Sequence, residues 1–289
     1  MRLCLSSDIH GNVKATSYLV KSAELLGCTA ILVAGDLCAW EDYKSYFRVV
    51  AELSKFKGKV IAVLGNSDYP ELLGASRAEA QPLGGAETDE KGRTQSAVSL
   101  LHGDCLVFGG VRFVGASGVP EGAHGSYFST SEDQLLGLLR GALERCDPIS
   151  KENANVSDNA NGIIITSSGS SSSNSDAGNR TNLGPDAKST APLVSMTHPP
   201  PLGVLDTTYA GDHAGSSAIL EFIKEVQPAL HVCGHIHEAK GVAKVGKTVV
   251  VNPGPPKRGD PIYVAEVRQG EATVELSTPD EKRLSGRST

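Results

Sequence analysis

Seven side chains able to bind a metal stand at five places in this chain: Asp8 and His10 in SSDIHGN, Asp36 in AGDL, Asn66 in LGNSD, His198 in MTHPPP, and His235 and His237 in CGHIH. Carboxylate, amide and imidazole donors mixed in this way suit Mn²⁺, Fe²⁺, Zn²⁺ or Ni²⁺ and do not choose among them. Taken singly, an Asp after an apolar run is a turn former or helix cap, and a His is an ordinary packed residue. Taken together, all five blocks share one position, the exit from an apolar run. Open α/β folds place their ligand sites at such exits, so the five point to one common centre.

The apolar runs are of strand length: 1–5, 29–34 (TAILVA), 59–64 (KVIAVL), 193–197 (LVSMT) and 229–233 (ALHVC). Helical spacing follows the first at 13–26, where Gly27 is a natural stop, and the second at 41–55. Two more helices are expected at 130–145 and 216–226. Residues 97–117 read as a β-meander broken by glycines, and further strands are expected at 241–245, 247–252, 262–268 and 272–276. Strands alternating with helices predict an α/β fold.

Residues 241–248, GVAKVGKT, match the phosphate-loop pattern GxxxxGK[ST]. That motif needs a strand before it and a helix after it. Here a β run ending in Pro-Gly follows, so 245–247 are expected to form a hairpin turn.

Residues 150–190 differ in kind, being rich in Ser and Asn and free of aromatics. Such composition does not offset the entropy of ordering, which predicts a disordered insertion. The GIIIT run at 162–166 is read as a stray apolar patch within it, with a short extra strand as the alternative. One domain is expected over 1–278, interrupted by this insertion, with a polar tail at 279–289.

A net charge of −6 argues against a basic nucleic-acid coat protein, although bound metal would still permit a nuclease. Six scattered cysteines without a CxxC pair favour reduced thiols and a cytoplasmic location. No apolar run approaches the length of a membrane helix, and the N-terminus opens directly into a strand rather than a leader.

DIHGN, GDL, GNSD, the His before PPP, and GHIH resemble the five signature blocks of the calcineurin-like metallophosphoesterase superfamily. The run from HPPPLG through GHIHEA to VVNPG is similar to the Icc-related phosphoesterases. The resemblance implies a four-layer αββα sandwich with a dimetal site at the strand C-termini. Asp8, His10 and His237 would hold one divalent ion and Asn66, His198 and His235 the other, with Asp36 bridging. It implies hydrolysis of a phosphoester by a hydroxide held between the ions. A small phosphodiester, nucleotides included, is the expected substrate, ahead of a monoester or nucleic acid; manganese is one of the expected metals. Catalytic parts are implied for Asp36, Asn66, Ser67 and His213. A non-catalytic scaffold of the same fold is the rival reading.

Ser67 stands where most relatives have a histidine that contacts phosphate. A serine hydroxyl is no acid near neutral pH, which favours diesters with good leaving groups. His213 precedes a helix start, where anions bind well. Plainer roles are expected elsewhere: Cys38 and Cys233 as small buried hydrophobes, His231 packed in a strand, His102 in a turn, and Trp40 packed against a helix start.

Overall fold

The computed structural model of the protein describes residues 1–74, 98–122, 126–146, 155–159, 162–166 and 191–280. Two β-sheets stack face to face with helices on both outer faces. The six-stranded sheet is built from β1 (Arg2–Ser6), β2 (Ala30–Ala34), β3 (Lys59–Val63), β4 (Val98–Leu100), β15 (Ile262–Arg268) and β16 (Glu271–Ser277), in the order β16-β15-β1-β2-β3-β4. Its strands β1 to β4 are parallel, and β15 and β16 close one edge antiparallel.

The eight-stranded sheet runs β13-β14-β12-β11-β6-β5-β10-β9. Its members are β5 (Asp104–Phe108), β6 (Val111–Ala116), β9 (Asn155–Asn159), β10 (Gly162–Thr166), β11 (Leu193–Thr197), β12 (Leu230–Val232), β13 (Gly241–Val245) and β14 (Thr248–Asn252). Its centre, β14-β12-β11-β6, is parallel. A small separate pair joins β7 (Val119–Pro120) to β8 (Ser129–Thr130).

Alternation along the strands builds three apolar layers. Leu3, Leu5, Leu32 and Ile61 face Phe113, Met196, Leu230 and Val251 between the sheets. Cys4, Ile31, Val33 and Val60 turn outward onto α1 (Val13–Leu25) and α2 (Tyr43–Leu53). Val114, Cys233 and Val250 turn outward onto α3 (Glu132–Cys146) and α4 (Ser217–Val226). The expected αββα sandwich is the observed fold. Burying both faces of both sheets explains why the central strands read as continuous apolar runs.

Four expectations are corrected. The apolar run GIIIT is not a stray patch: it forms β10, which pairs antiparallel with β5 and with β9. Three β-branched residues in a row favour the extended backbone of a strand. Apart from β9 and β10, the Ser/Asn-rich segment lies outside the described residues, as do residues 75–97 and residues 281–289 of the tail. The meander is split, because β4 joins β3 in one sheet while β5 and β6 form a hairpin in the other. The cysteines are not all reduced. Cys105 on β5 and Cys146 at the end of α3 form a disulfide, with Cα atoms 5.5 Å apart. In the chain-entropy account, closing a loop of that length is worth about 4 kcal/mol. Finally, Trp40 does not bury itself against a helix start but remains 47% exposed.

The phosphate-loop pattern resolves as foreseen. β13 and β14 are an antiparallel hairpin around Gly246, whose φ of +60° needs the freedom of glycine. No helix of the described residues is long and apolar enough to cross a membrane.

Candidate metal centre

Asp8 and His10 lie just beyond β1, but strand alternation is not what aims them. Both adopt left-handed backbone angles, φ +53° and +46°, as do Asp36 at +55° and His235 at +69°. Non-glycine residues seldom occupy this region, and each instance stores about 1–3 kcal/mol, least for Asp, Asn and His. Four of the seven candidate ligands therefore sit in strained turns that swing their side chains back toward a common point. The turns interlock through main-chain bonds: Asp8 N donates to Gly35 O at 3.0 Å, and His10 N to Asp36 O at 2.8 Å.

All seven candidate residues come together. Asp8, His10 and His237 form one group with donor atoms within 4.8 Å of one another, and Asp8, Asp36 and His198 form a second. His237 Nε2 is 3.2 Å from Asp8 Oδ1 and 3.4 Å from His10 Nε2. Asp36 faces both groups, with Oδ2 3.6 Å from His10 Nε2 and Oδ1 3.4 Å from His198 Nε2. Asn66 Oδ1 is 2.9 Å from His198 Nε2. His235 joins edge-on, its ring centroid 5.0 Å from that of His198, while its main-chain N–H donates to Asp8.

Close packing fixes the deeper side. A Cβ on Gly35 would fall 2.3 Å from His198 Nδ1, and one on Gly65 would fall 2.2 Å from Asp36 Oδ1. Glycine is required at both positions so that the main chain can pass behind the ligands. His198 Nδ1 is 2.8 Å from the Ala34 carbonyl, so it carries the proton and leaves Nε2 facing the centre. His10 and His237 form the open side, with side chains 37% and 44% exposed.

Asp8 and Asp36 are almost fully buried, yet among the described residues no lysine or arginine pairs with either. Two buried carboxylates need cationic compensation. Imidazoles supply it in the metal-free chain. Burial disfavours the Asp36 anion, but His198 and then His10 outweigh it and hold the carboxyl below the usual range. Burial likewise opposes the His198 cation, and Asp36 with Asp8 reverses this, raising it to about 9. His237 is raised by its bond to Asp8, whereas burial and His198 push His235 down to about 4. A donor set of two acids, four imidazoles and an amide in this charge state fits divalent metal, which would take over the compensating role of the His198 proton.

Ser67 is fully buried, with its hydroxyl donating to Cys38 O at 3.1 Å and its main-chain N–H to Asp36 Oδ1 at 2.9 Å. The expected catalytic hydroxyl is thus turned into the loop, because the tight Gly65–Asp68 turn leaves it no path to solvent. His213 stands on the loop between β11 and α4. Its Nδ1 is 2.8 Å from Asp206 Oδ1, and its side chain is 57% exposed. Asp206 is itself buried and also accepts from Gly203 N and Gly215 N. The loop reaches the metal blocks where Tyr209 N donates to Glu238, the neighbour of His237. The helix start beside His213 is not an open anion site, since Glu132 already accepts from Ser217 N and Ala218 N.

Three positioning residues escaped the sequence reading. Asp68 accepts from Leu37 N, Cys38 N and Gly65 N, and so ties the Asp36 loop to the Asn66 loop. Asn252 donates to Ile236 O at 2.8 Å and steadies the GHIH turn. Asp206 is the third. Asp68 and Asn252 are polar residues near strand exits, the signal that could have found them; Asp206, deep in the loop after β11, carries no such signal. His231 is packed as expected, between Ser195 and Thr197, with burial lowering it to about 3.

Comparison with known proteins agrees with this geometry. Human metallophosphoesterase domain-containing protein 1 is 44% identical over 61 residues, 20% of this chain and 19% of the relative. A UPF0046 protein of Caenorhabditis elegans is 38% identical over 74 residues, 26% of this chain and 25% of the relative. The matches thus span about a quarter or less of these relatives' length. Among solved structures, the TT1561 protein of Thermus thermophilus superposes with a TM-score of 0.60 at 16% identity, covering 95% of this chain and 98% of that one. A dimetal phosphatase from Danio rerio gives 0.55 at 10% identity, covering 97% and 96%. The calcineurin-like phosphoesterase pattern matches residues 1–239, most of the chain and all seven candidate ligands, and the protein belongs to that family.

Proposed function

We propose that this chain hydrolyses phosphoesters, small phosphodiesters in preference, with two divalent metal ions bound by Asp8, His10, Asp36, Asn66, His198, His235 and His237. The observation that carries the reading is Asp36. One carboxylate oxygen faces His10 and the other faces His198, the arrangement a bridging ligand needs. Two divalent ions at such a site orient the phosphorus centre, activate water and neutralise charge on the attacking and leaving oxygens.

The chain's own residues do the rest. Asp68 and the Gly65–Ser67 turn hold Asp36 and Asn66 in register before substrate arrives. His10 and His237 are the exposed members of the set and so mark a side from which substrate can enter. Position 67 offers no proton to a leaving oxygen, because its hydroxyl is committed to Cys38. His213 is the better donor: Asp206 holds its Nδ1, leaving Nε2 as the free nitrogen. Diester preference follows from charge, since a diester is a monoanion and a monoester is close to a dianion needing more donors. Mn²⁺, Fe²⁺, Zn²⁺ and Ni²⁺ all suit the donor set, manganese among them.

A cytoplasmic location belongs to the same proposal, on the strength of the four free cysteines Cys4, Cys28, Cys38 and Cys233. It requires the Cys105–Cys146 pair to be a dithiol there, so thiol titration in a native extract would count six thiols rather than four.

Metal analysis of the purified protein, alongside hydrolysis of bis(p-nitrophenyl) phosphate, p-nitrophenyl phosphate and single-stranded DNA, tests the main reading. Two ions per chain and turnover favouring the first substrate are expected. Absence of both metal and metal-restored hydrolysis would favour a scaffold. Preference for the monoester would remove the diesterase reading alone.

A further inference from the structure

An aromatic stack stands beside the metal centre and is not needed to build it. Trp40, the chain's only tryptophan, packs on Tyr127 with ring centroids 4.7 Å apart and planes 33° from parallel. Tyr127 stacks in turn on Tyr69 at 4.6 Å and 16°. Tyr43 meets Tyr69 edge-on at 5.2 Å. The rings come from three separate loops and a helix, yet they align into one stack.

The stack is tied to the ligand loops at two of its rings. Tyr127 N donates to the carbonyl of Asn66 at 2.9 Å. Tyr69 follows Asp68, whose carboxylate joins the two loops. Trp40 is four residues beyond Asp36, which confines it to about 14 Å of that residue even for extended chain. The stack is therefore tethered to the Asp36 and Asn66 loops, and its outer ring, Trp40, is 47% exposed. Tyr127 is covered on both faces, whereas Trp40 has, among the described residues, a ring neighbour on one face only. A large ring left open to water beside ligand-bearing loops costs hydrophobic free energy, and its free face is one on which another ring can stack.

We propose that Trp40, backed by Tyr127 and Tyr69, is a stacking subsite for a planar ring carried by the phosphoester, with a nucleobase as its occupant. The ring continues the stack while the phosphate sits at the metal centre. This rests on the phosphoesterase reading, and it adds a determinant of substrate choice outside the ligand set. Stacking tolerates any base because every base has a π-face, so the subsite selects nucleosidic over alkyl esters without choosing among bases. Simple aryl esters offer the same ring chemistry, and the experiment separates the two.

Because Trp40 is the sole tryptophan, its emission reports the subsite directly. Metal-loaded protein, excited where adenine does not absorb, would be titrated with adenosine 5′-monophosphate, phenyl phosphate and ribose 5-phosphate. Saturable quenching by the adenosine ester, and none by ribose 5-phosphate, is expected. Equal responses to both would overturn the subsite, and a response to phenyl phosphate alone would replace the nucleobase by an aryl ring. In parallel, kcat/KM would be compared for p-nitrophenyl thymidine 5′-phosphate and methyl p-nitrophenyl phosphate. Trp40→Leu should lower the ratio of the first to the second about 5-fold or more, the range of a lost base stack, and Trp40→Phe should restore most of it. An unchanged ratio in Trp40→Leu refutes the subsite. Quenching without any hydrolysis would uphold the subsite and defeat the hydrolase reading instead.

Discussion

Asp68 offers the sharpest test of how the centre is held, because it touches no substrate and yet joins two ligand loops. Its carboxylate is fully buried and accepts three main-chain bonds, from Cys38 N at 2.7 Å, Gly65 N at 2.8 Å and Leu37 N at 3.2 Å. Asp68→Ala strands all three donors in a site without room to rearrange. A buried donor left unmade costs about 1–3 kcal/mol, which puts the total at about 3 kcal/mol or more. Burial and then Asp36 push the Asp68 carboxyl up to about 6 in the metal-free chain, so part of this cost is offset there by relief of charge repulsion. Asp68→Asn keeps one acceptor oxygen and turns an NH₂ toward the remaining N–H groups; its loss should be smaller but of the same sign. Urea unfolding of both variants gives the stability, and elemental analysis after dialysis gives the metal content. Asp68→Ala should lose cooperative stability and also bind metal more weakly, because Asp36 and Asn66 are no longer in register. A variant within about 1 kcal/mol of wild type, below the cost of one unmade bond, and with full metal content would show that Asp68 does not hold the loops.

Asp36→Asn should lower turnover at least about 100-fold, more than any other single ligand change, since both ions lose a charged donor together; near-normal turnover with two bound ions would sink the bridging assignment. Without metal, raising the pH from about 6.5 through about 9 should lower the melting temperature, because His198, raised to about 9, stabilises the fold only while protonated. His237 is raised too and acts in the same sense. With metal bound the slope should reverse, since the ion needs unprotonated imidazole; parallel slopes would contradict metal binding at His198. His213→Ala should reduce hydrolysis of alkyl-leaving-group esters by about 10²-fold or more and leave nitrophenyl esters much less affected, and Asp206→Asn should shift the pH profile in the same assay. Equal losses on both ester types would assign the pair a purely structural part. Ser67→His, a larger side chain in a fully buried slot, should destabilise by about 1–3 kcal/mol rather than add a proton donor; a stable variant with faster alkyl-ester hydrolysis would return position 67 to the reaction.

Much of the centre was legible because a strand must release its polar residue where the sheet ends, and five apolar runs ending in Asp, Asn or His are visible without a structure. The means of convergence was not legible. Left-handed turns at Asp8, His10, Asp36 and His235 leave no mark in a sequence of non-glycine residues. The direction of the Ser67 hydroxyl was hidden for a related reason: its residue type was evident, but its direction depends on Cys38, 29 positions away. Contacts of still longer range stayed invisible. Glu132 covers the N-terminus of α4 from 85 residues upstream, and Tyr127 meets Trp40 and Tyr69 only in the folded chain. Composition misled where local bias and tertiary pairing disagreed. The Ser/Asn-rich segment conceals β10, whose three isoleucines pair along β5, and scattered cysteines conceal the bond between Cys105 and Cys146.

The ligands divide unevenly along the chain. Asp8, His10, Asp36 and Asn66 precede the Ser/Asn-rich segment, and His198, His235 and His237 follow it. They also divide by sheet: the first four leave strands of the six-stranded sheet, and the last three leave β11 and β12 of the eight-stranded one. Neither portion of the chain contains a full set for either ion. Metal bound as proposed would therefore clasp the two sheets together, its free energy shared by both rather than stored in one.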